Sequence, residues 1–215
     1  MKVVAAEWLP YRLPLKRPWQ TSQGVLKKQS GSLLRLETKD GQTGWGDCAP
    51  LPEFGINETN ATSFAEELAH LDLFSQKLGQ PLNSWLSNTA AVTSVAVNAN
   101  LGSISDINQG LVETALKNGF SILKIKVGVG HWQDEVEHLR HLCDGLPPGA
   151  SLRLDANMAW SEAEAGLFIS ACTHLPIEGL EEPLRHPDLG GLARLHYLTP
   201  FPIAIDESVY LIDGA

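Results

Sequence analysis

From about residue 92 onward, short β-forming segments alternate with helical segments, and this alternation limits the possible folds more than any other feature. The strand-like segments read TSVAVNANLG, SILKIKVG, SLRLDAN, IEGLEEPL and FPIAIDES, and helical stretches separate them. Consecutive strand–helix–strand units fold with a right-handed crossover. The pattern therefore predicts an α/β domain built on a parallel sheet.

The helical stretches carry start and stop signals. One runs from Asp106 to Asn118 and should end at Gly119. The next has an apolar face formed by Trp132, Val136, Leu139 and Cys143. The third opens with a capping box between Ser161 and Glu164, and the last has a proline near its start.

The first 90 residues have a different pattern, in which β-forming segments come first. The turn KDGQ at 39–42 lies between two of them and predicts a β-hairpin. A helical segment follows, with apolar residues at Phe64, Leu68, Leu71 and Leu78, and it should end at Gly79. Residues 1–90 are therefore expected to form a small α+β unit.

Composition excludes several classes of function. The formal net charge of −9 argues against binding to nucleic acids or to anionic membranes. The three cysteines are scattered without CxxC spacing, as expected for reduced thiols in a cytosolic protein. The N-terminus does not resemble a signal peptide, and no apolar run reaches the roughly 20 residues of a membrane span. We therefore expect a soluble, cytoplasmic protein.

Acidic residues recur where the later strands end. Asp155, Glu181 and Asp206 each lie at or near the carboxyl end of a strand-like segment, and Lys126 ends the strand before them. Neighbours in this series are roughly 25 to 30 residues apart, about the length of one βα unit. These side chains should therefore meet at the edge where α/β proteins build active sites.

Carboxylates that converge in this way need a compensating positive charge. Two of them about 4–5 Å apart repel each other by about 4 kcal/mol at an effective dielectric constant near 20. Oxygen ligands without histidine or cysteine favour a hard cation, Mg²⁺ above all. The alternative is that each acid caps a helix or lies in a solvated turn, but acids in register with a lysine-bearing strand make the metal site the better interpretation.

Two lysines, Lys124 and Lys126, share one face of the apolar strand SILKIKVG. A neighbouring ammonium and a divalent cation both lower a lysine pKa towards neutrality. Such a lysine can remove a proton α to a carboxylate while a metal stabilises the resulting enediolate. Two alternatives remain, namely solvated amines on a half-exposed strand and a Schiff-base lysine as in aldolases.

The sequence resembles the muconate-lactonising branch of the enolase superfamily. LKIKVG, LRLDANMAWS, GLEEPL and PIAIDES are similar to its K-x-K, D-x-N, E-E-P and D-E-S blocks, in the same order. The resemblance implies an N-terminal α+β capping domain at 1–90 and an incomplete (β/α)8 TIM-type barrel of about five strands at 91–215. GWGDCAPLPEFG at 44–55 is similar to a stretch of the o-succinylbenzoate synthases in that branch.

The resemblance also implies roles for individual residues. Asp155, Glu181 and Asp206 would bind Mg²⁺, and Lys126 would be the base that removes the proton. Lys124 would lower the pKa of Lys126 or contact the substrate carboxylate. Further residues would contact the substrate or support the metal ligands: Asn157, Arg153, Trp19 and Phe54.

The implied activity is that of a hydro-lyase, the dehydration of 2-succinyl-6-hydroxy-2,4-cyclohexadiene-1-carboxylate in menaquinone biosynthesis. Dipeptide epimerase, N-acylamino-acid racemase and muconate cycloisomerase are alternatives within the superfamily. An inactive truncated remnant is an alternative of another class. The expected partner is a small-molecule carboxylate, and the oligomeric state stays open.

One feature of the family has no counterpart here. A second active-site lysine is expected on the next barrel strand, roughly 25 residues after Asp206. The sequence ends at Ala215, so the resemblance implies a fragment or a truncated product. Since an unclosed parallel sheet exposes an edge and an apolar face, we expect a chain of this literal length to be poorly soluble or inactive, whereas the full-length gene product should be active.

Overall fold

The computed structural model describes residues 2–21, 24–90 and 92–210. The chain divides into two compact units, Met1–Val95 and Ala96–Ala215, each with its own buried core. None of the helices in the described ranges is long and apolar enough to cross a membrane.

The first unit contains a three-stranded antiparallel sheet in the order β1-β2-β3. Its strands are β1 (Val3–Thr21), β2 (Gly24–Thr38) and β3 (Thr43–Cys48). The β2–β3 turn contains Gly41 at a φ of 80°, a conformation that glycine adopts without strain. The hairpin predicted from KDGQ is therefore confirmed.

Helix α1 (Glu58–Leu78) packs on this sheet, and α2 (Leu82–Ser87) follows it. Asn57 caps the start of α1, and Gly79 ends it in the left-handed conformation, as expected from the sequence. The predicted apolar face is only partly buried, because Leu68 and Leu71 are half-buried but Phe64 and Leu78 are exposed. The buried side chains are instead Ala61, Ala65, Ala69, Leu73 and Ser75.

The reason for this difference is a close approach of α1 to β3. A Cβ atom added at Gly46 would clash with the backbone of Ala65, and one added at Gly44 would clash with Ala69 and Leu73. Alanines on the helix and glycines on the strand allow this short distance, whereas larger side chains must lie elsewhere.

The second unit alternates strands and helices and has a parallel sheet in the order β4-β5-β6-β7-β8. Its elements are β4 (Ala99–Ser103), α3 (Gln109–Lys117), β5 (Ile122–Lys126), α4 (Trp132–Asp144), β6 (Ser151–Asp155), α5 (Glu162–Cys172), β7 (Ile177–Glu181), α6 (Leu189–Leu198) and β8 (Ile203–Ala204). The predicted α/β class and the parallel sheet are confirmed.

Element boundaries differ from the prediction in two places. Strand β4 begins at Ala99, so the preceding TSVAVN segment lies outside it. Helix α3 begins at Gln109 rather than at Asp106, because the Asn108 side chain accepts a hydrogen bond from the backbone N–H of Leu111 and caps the helix there. The capping box of Ser161 and Glu164 is present as predicted.

The two faces of the parallel sheet have opposite character. Apolar side chains of the strands pack against the helices in one buried cluster, which includes Leu123, Ile125, Leu152, Leu154 and Phe168. On the other face, lysine, arginine and carboxylate side chains alternate with these apolar residues. This second face carries the candidate functional residues at the carboxyl ends of the strands.

Candidate functional site

Three charged side chains meet at the carboxyl ends of β5, β6 and β7. The ammonium of Lys124 lies 2.9 Å from Asp155 Oδ2 and 2.8 Å from Glu181 Oε2. Lys126 is paired in register with Asp155, and Asp155 with Glu181, so the ends of the three strands lie level. The sequence placed these residues on one edge of the sheet, and the structure brings them together there.

Burial makes this group electrostatically strong. The exposed fractions are 23% for the Lys124 side chain, 13% for Asp155 and 14% for Glu181. Charges in partly desolvated surroundings interact more strongly than those on an open surface. The lysine therefore neutralises repulsion between two carboxylates that converge on the same point.

The pKa values of Lys124 and Glu181 both lie above their ordinary values. Burial by itself lowers the pKa of Lys124, but the hydrogen bonds to Glu181 and Asp155 and their negative charges outweigh it, so the pKa lies above its ordinary value. Burial raises the pKa of Glu181, and the Lys124 hydrogen bond opposes this increase.

Asp206 lies close enough to contribute to this field. Its negative charge, together with that of Asp155, raises the pKa of Glu181 further. The described residues nevertheless contain no group of three or more histidine, cysteine or carboxylate side chains already arranged to hold a metal. Asp155 and Glu181 converge on the Lys124 ammonium instead, and the metal-ligand roles of Asp155, Glu181 and Asp206 stay predictions.

Lys126 differs from Lys124 in its contacts. Within the described parts of the chain, its ammonium forms no ion pair or hydrogen bond, although the two lysines lie on the same face of β5. Leu123 and Ile125, which alternate with them, are fully buried against the helices. Lys126 is therefore available to contact another molecule, whereas Lys124 is engaged with two carboxylates.

The other predicted residues of the second unit have different partners. The Asn157 backbone N–H donates to Asp155 Oδ1 at 3.1 Å, and its side chain donates to Glu207 Oε1 at 3.0 Å. Asn157 thus supports Asp155 directly. Arg153 forms an ion pair with Glu178 at 2.6 Å, further from the strand ends.

Two predicted residues belong to the first unit. Trp19 lies in β1, and Phe54 lies in a short 3-10 turn at Pro52–Phe54. Their side chains lie outside the described residues. Their predicted contacts with a substrate stay predictions.

Sequence reasoning missed two buried carboxylates beside the site. Glu182, which follows Glu181, accepts hydrogen bonds from the loop after β8. Glu135, on α4, accepts backbone hydrogen bonds from all three residues of Gly128–Gly130 in the loop after Lys126. The only available signals were the EE pair and a glycine-rich loop followed by a glutamate, and neither specifies a hydrogen-bond partner.

The donor set at the strand ends suits a hard cation. Asp155 and Glu181 already hold a positive charge between their oxygen atoms. Carboxylate oxygens without sulfur or imidazole ligands favour Mg²⁺ over softer metals. The chemistry of the residues present therefore fits a magnesium ion, which the oxygens of Asp155 and Glu181 would contact.

Comparison with known proteins gives two groups of relatives. The o-succinylbenzoate synthase of Thermosynechococcus vestitus BP-1 is 34% identical over 94% of this chain and 68% of its own length. The L-Ala-D/L-Glu epimerase of Bacillus subtilis is 25% identical over 98% of this chain and 68% of its own length. The chain thus spans about two thirds of these relatives, and 63% of the synthase of Geobacillus kaustophilus.

Both kinds of protein also occur among the similar solved structures. An o-succinylbenzoate synthase from Thermosynechococcus elongatus BP-1, complexed with Mg in its active site, matches with a TM-score of 0.69 and 31% identity. The match covers 96% of this chain and 69% of that one. A substrate-liganded epimerase from Bacillus subtilis has a TM-score of 0.78 at 24% identity, over 98% and 69% of the two chains. The epimerase likeness shows the fold alone.

Two family models together span most of the chain. Residues 5–117 match the N-terminal domain of mandelate racemase / muconate lactonizing enzyme, and residues 108–215 match the enolase C-terminal domain-like family. Each match covers about half of the chain, and the order of the two domains agrees with the order of the two structural units. The chain therefore belongs to the enolase superfamily.

Proposed function

We propose that this chain is part of an o-succinylbenzoate synthase, a Mg²⁺-dependent lyase. The reaction is the dehydration of 2-succinyl-6-hydroxy-2,4-cyclohexadiene-1-carboxylate in menaquinone biosynthesis. The observation that carries the choice of reaction is the 34% identity to the Thermosynechococcus synthase over 94% of the chain. The meeting of Lys124, Asp155 and Glu181 beside Lys126, whose ammonium has no partner among the described residues, supports the chemistry.

Asp155, Glu181 and Asp206 would hold the magnesium ion. When bound, Mg²⁺ would stabilise the negative charge that develops on the substrate carboxylate as its α proton leaves. Lys124 already lies between two of these carboxylates, so it would stay beside the site as a second positive charge and orient the substrate carboxylate.

Lys126 would act as the base. As a free amine, it would take the proton from the carbon α to the carboxylate, and the electrons of that C–H bond would form the new C=C bond as the hydroxyl departs. Its ammonium would return the proton to the hydroxyl, which leaves as water. The absence of a partner for Lys126 among the described residues favours this role over that of Lys124.

The proposal also assigns the two domains and the remaining predicted residues. We place residues 1–90 in a capping domain, with Trp19 and Phe54 contacting the substrate, and residues 91–215 in the barrel. Asn157 would hold Asp155 in place through its backbone N–H. Arg153 would support the same face of β6 through its ion pair with Glu178.

Dipeptide epimerisation is the second candidate. The specific observation in its favour is the 25% identity to the L-Ala-D/L-Glu epimerase of Bacillus subtilis over 98% of the chain. An epimerase removes a proton α to a carbonyl group and returns one on the opposite face, so it needs a second acid/base group. A binding protein without activity is the remaining outcome.

The test uses the protein as its gene encodes it, with Mg²⁺ or with EDTA. We expect Mg²⁺-dependent loss of the cyclohexadiene absorbance and no exchange of the α proton of L-Ala-L-Glu in D₂O. Lys126→Ala should reduce turnover by more than about a thousandfold while Mg²⁺ binding persists. Lys117→Ala, which replaces an exposed lysine at the end of α3, is the matched control and should change neither turnover nor Mg²⁺ binding.

Two results would contradict the proposal. Dipeptide epimerisation without dehydration would assign the protein to the second candidate. Mg²⁺ binding with neither reaction would assign it to the non-catalytic class.

A further inference from the structure

Glu182, the second glutamate of the EEP sequence, is a buried carboxylate that the proposed chemistry does not use. Its side chain is 0% exposed. Oε1 accepts hydrogen bonds from the backbone N–H of Asp206, the backbone N–H of Ser208 at 2.9 Å and the Ser208 hydroxyl at 2.7 Å. A buried carboxylate is costly unless it is hydrogen-bonded, and these donors offset that cost.

The backbone of Glu182 is also held at both sides. Its N–H donates to the carbonyl of Ala204 at 3.0 Å, and its carbonyl accepts from the N–H of Met158 at 2.7 Å. Its φ is 46°, an uncommon conformation for a residue with a side chain. Glu182 thus links the loops that follow β6, β7 and β8.

The loop after β8 has little other support from the sheet. Strand β8 contains only Ile203 and Ala204, and its register with β7 ends at the pair Glu181 and Ala204. Asp206 therefore lies beyond the last paired residue of the strand. The hydrogen bond from its own N–H to Glu182 fixes where its backbone leaves the sheet.

We propose that Glu182 is a positioning residue that holds Asp206 beside Asp155 and Glu181. This rests on the proposed function, in which Asp206 is the third Mg²⁺ ligand. All three donors converge on the single oxygen Oε1, and Oε2 has no hydrogen-bond partner among the described residues. The proposed role therefore depends on where the side-chain length of Glu182 places one acceptor oxygen, and not on the negative charge of the carboxylate.

A matched pair of variants separates reach from charge. Glu182→Gln keeps the length and one acceptor oxygen, and its NH₂ group can lie where Oε2 meets no partner. Glu182→Asp keeps the charge but is one methylene shorter. Both are made in the protein as its gene encodes it, with Glu137→Gln, an exposed glutamate on α4, as the control.

Two measurements are made on each variant. The first is amide hydrogen exchange of Asp206 and Ser208 in EDTA, which requires neither metal nor activity. The second is the Mg²⁺ dissociation constant by calorimetry. We expect Glu182→Gln and the control to match the native protein in both. Glu182→Asp should exchange faster at Asp206 and Ser208 and bind Mg²⁺ about 10–100-fold more weakly.

The opposite order, with native behaviour for Glu182→Asp and loss for Glu182→Gln, overturns the proposal in favour of a role for the charge. Native behaviour of both variants also overturns the proposal.

If Glu182→Asp fails to fold, Ser208→Ala takes its place, because this substitution removes one donor to Oε1. It should then raise exchange at Asp206, and unchanged exchange overturns the proposal. If the native protein binds no Mg²⁺, the proposed function fails, while the exchange data still decide the role of Glu182.

Discussion

At the scale of single residues, the positive charge of Lys124 offsets the electrostatic repulsion between neighbouring carboxylates. Asp155 and Glu181 place their oxygens within 3 Å of one ammonium, and Asp206 adds a further negative charge to the field. Removing one partner from a partly buried ionic group leaves the remaining charges uncompensated. The ammonium of Lys124 and a divalent cation would therefore compete for the same two carboxylates.

Replacing Lys124 tests this competition. Lys124→Met should lower the free energy of unfolding in EDTA by about 2 kcal/mol, because it leaves two carboxylates facing each other. Added Mg²⁺ should then raise the unfolding temperature of the variant by more than it raises that of the native protein. Differential scanning fluorimetry with and without Mg²⁺ measures both effects.

Lys124→Arg, which keeps the positive charge, is the control and should be closer to the native protein. Equal responses to Mg²⁺ in the native protein and in Lys124→Met would show that the cation does not bind at these carboxylates.

At the scale of elements, buried carboxylates accept hydrogen bonds from two of the loops at the carboxyl ends of the strands. Glu182 ties the loop after β8, and Glu135 ties the loop after β5. Glu135 is 4% exposed and lies in the first turn of α4, where a negative charge also suits the helix dipole. It accepts the N–H groups of Gly128 and Val129 at 2.8 Å and of Gly130 at 3.0 Å.

Glu135→Ala should therefore destabilise the protein. We expect a loss of about 2 kcal/mol in the free energy of unfolding, since backbone donors in a partly buried loop lose their acceptor. Glu137→Ala on the same helix removes an exposed glutamate and should cost less than about 0.5 kcal/mol. Urea denaturation monitored by tryptophan fluorescence compares the two, and equal midpoints would mean that Glu135 does not hold the loop.

Elements with strong local signals were predictable, and those decided by packing were not. Ser161 and Glu164 mark the start of α5 in the sequence and in the structure. The buried face of α1 could not be predicted, because it follows from the close approach of the helix to Gly44 and Gly46, which involves a separate element. Periodicity identified the helix but favoured its larger apolar side chains as the core.

The candidate site shows the same division. Strand alternation placed Lys124 and Lys126 on one face, and the spacing of the acids placed them at one edge of the sheet. The raised pKa of Lys124 could not be predicted, because it depends on hydrogen bonds to Asp155 and Glu181 rather than on residue type. The role of Glu182 was missed because its φ of 46° and its burial have no signature in the letters EE.

At the scale of the whole molecule, the chain has two cores that share no residue. One contains Leu73 and the alanines of α1, and the other contains Leu154 and the apolar residues of the parallel sheet. All three proposed metal ligands belong to the second unit. Metal affinity should therefore depend on the packing of the second core and not on that of the first.

A pair of core substitutions tests this separation. Leu73→Ala and Leu154→Ala each remove a side chain that is 0% exposed, and each should cost about 2–5 kcal/mol of stability. Of the two substituted positions, only Leu154 lies next to a proposed ligand, because Asp155 follows Leu154 on β6. It should weaken Mg²⁺ binding, measured by calorimetry at a temperature where both variants are folded, whereas Leu73→Ala should leave the dissociation constant unchanged. Substitutions at distant sites that share no contacts act independently, so a cavity in the first core should leave the metal ligands undisturbed. Weaker Mg²⁺ binding by folded Leu73→Ala would contradict this prediction.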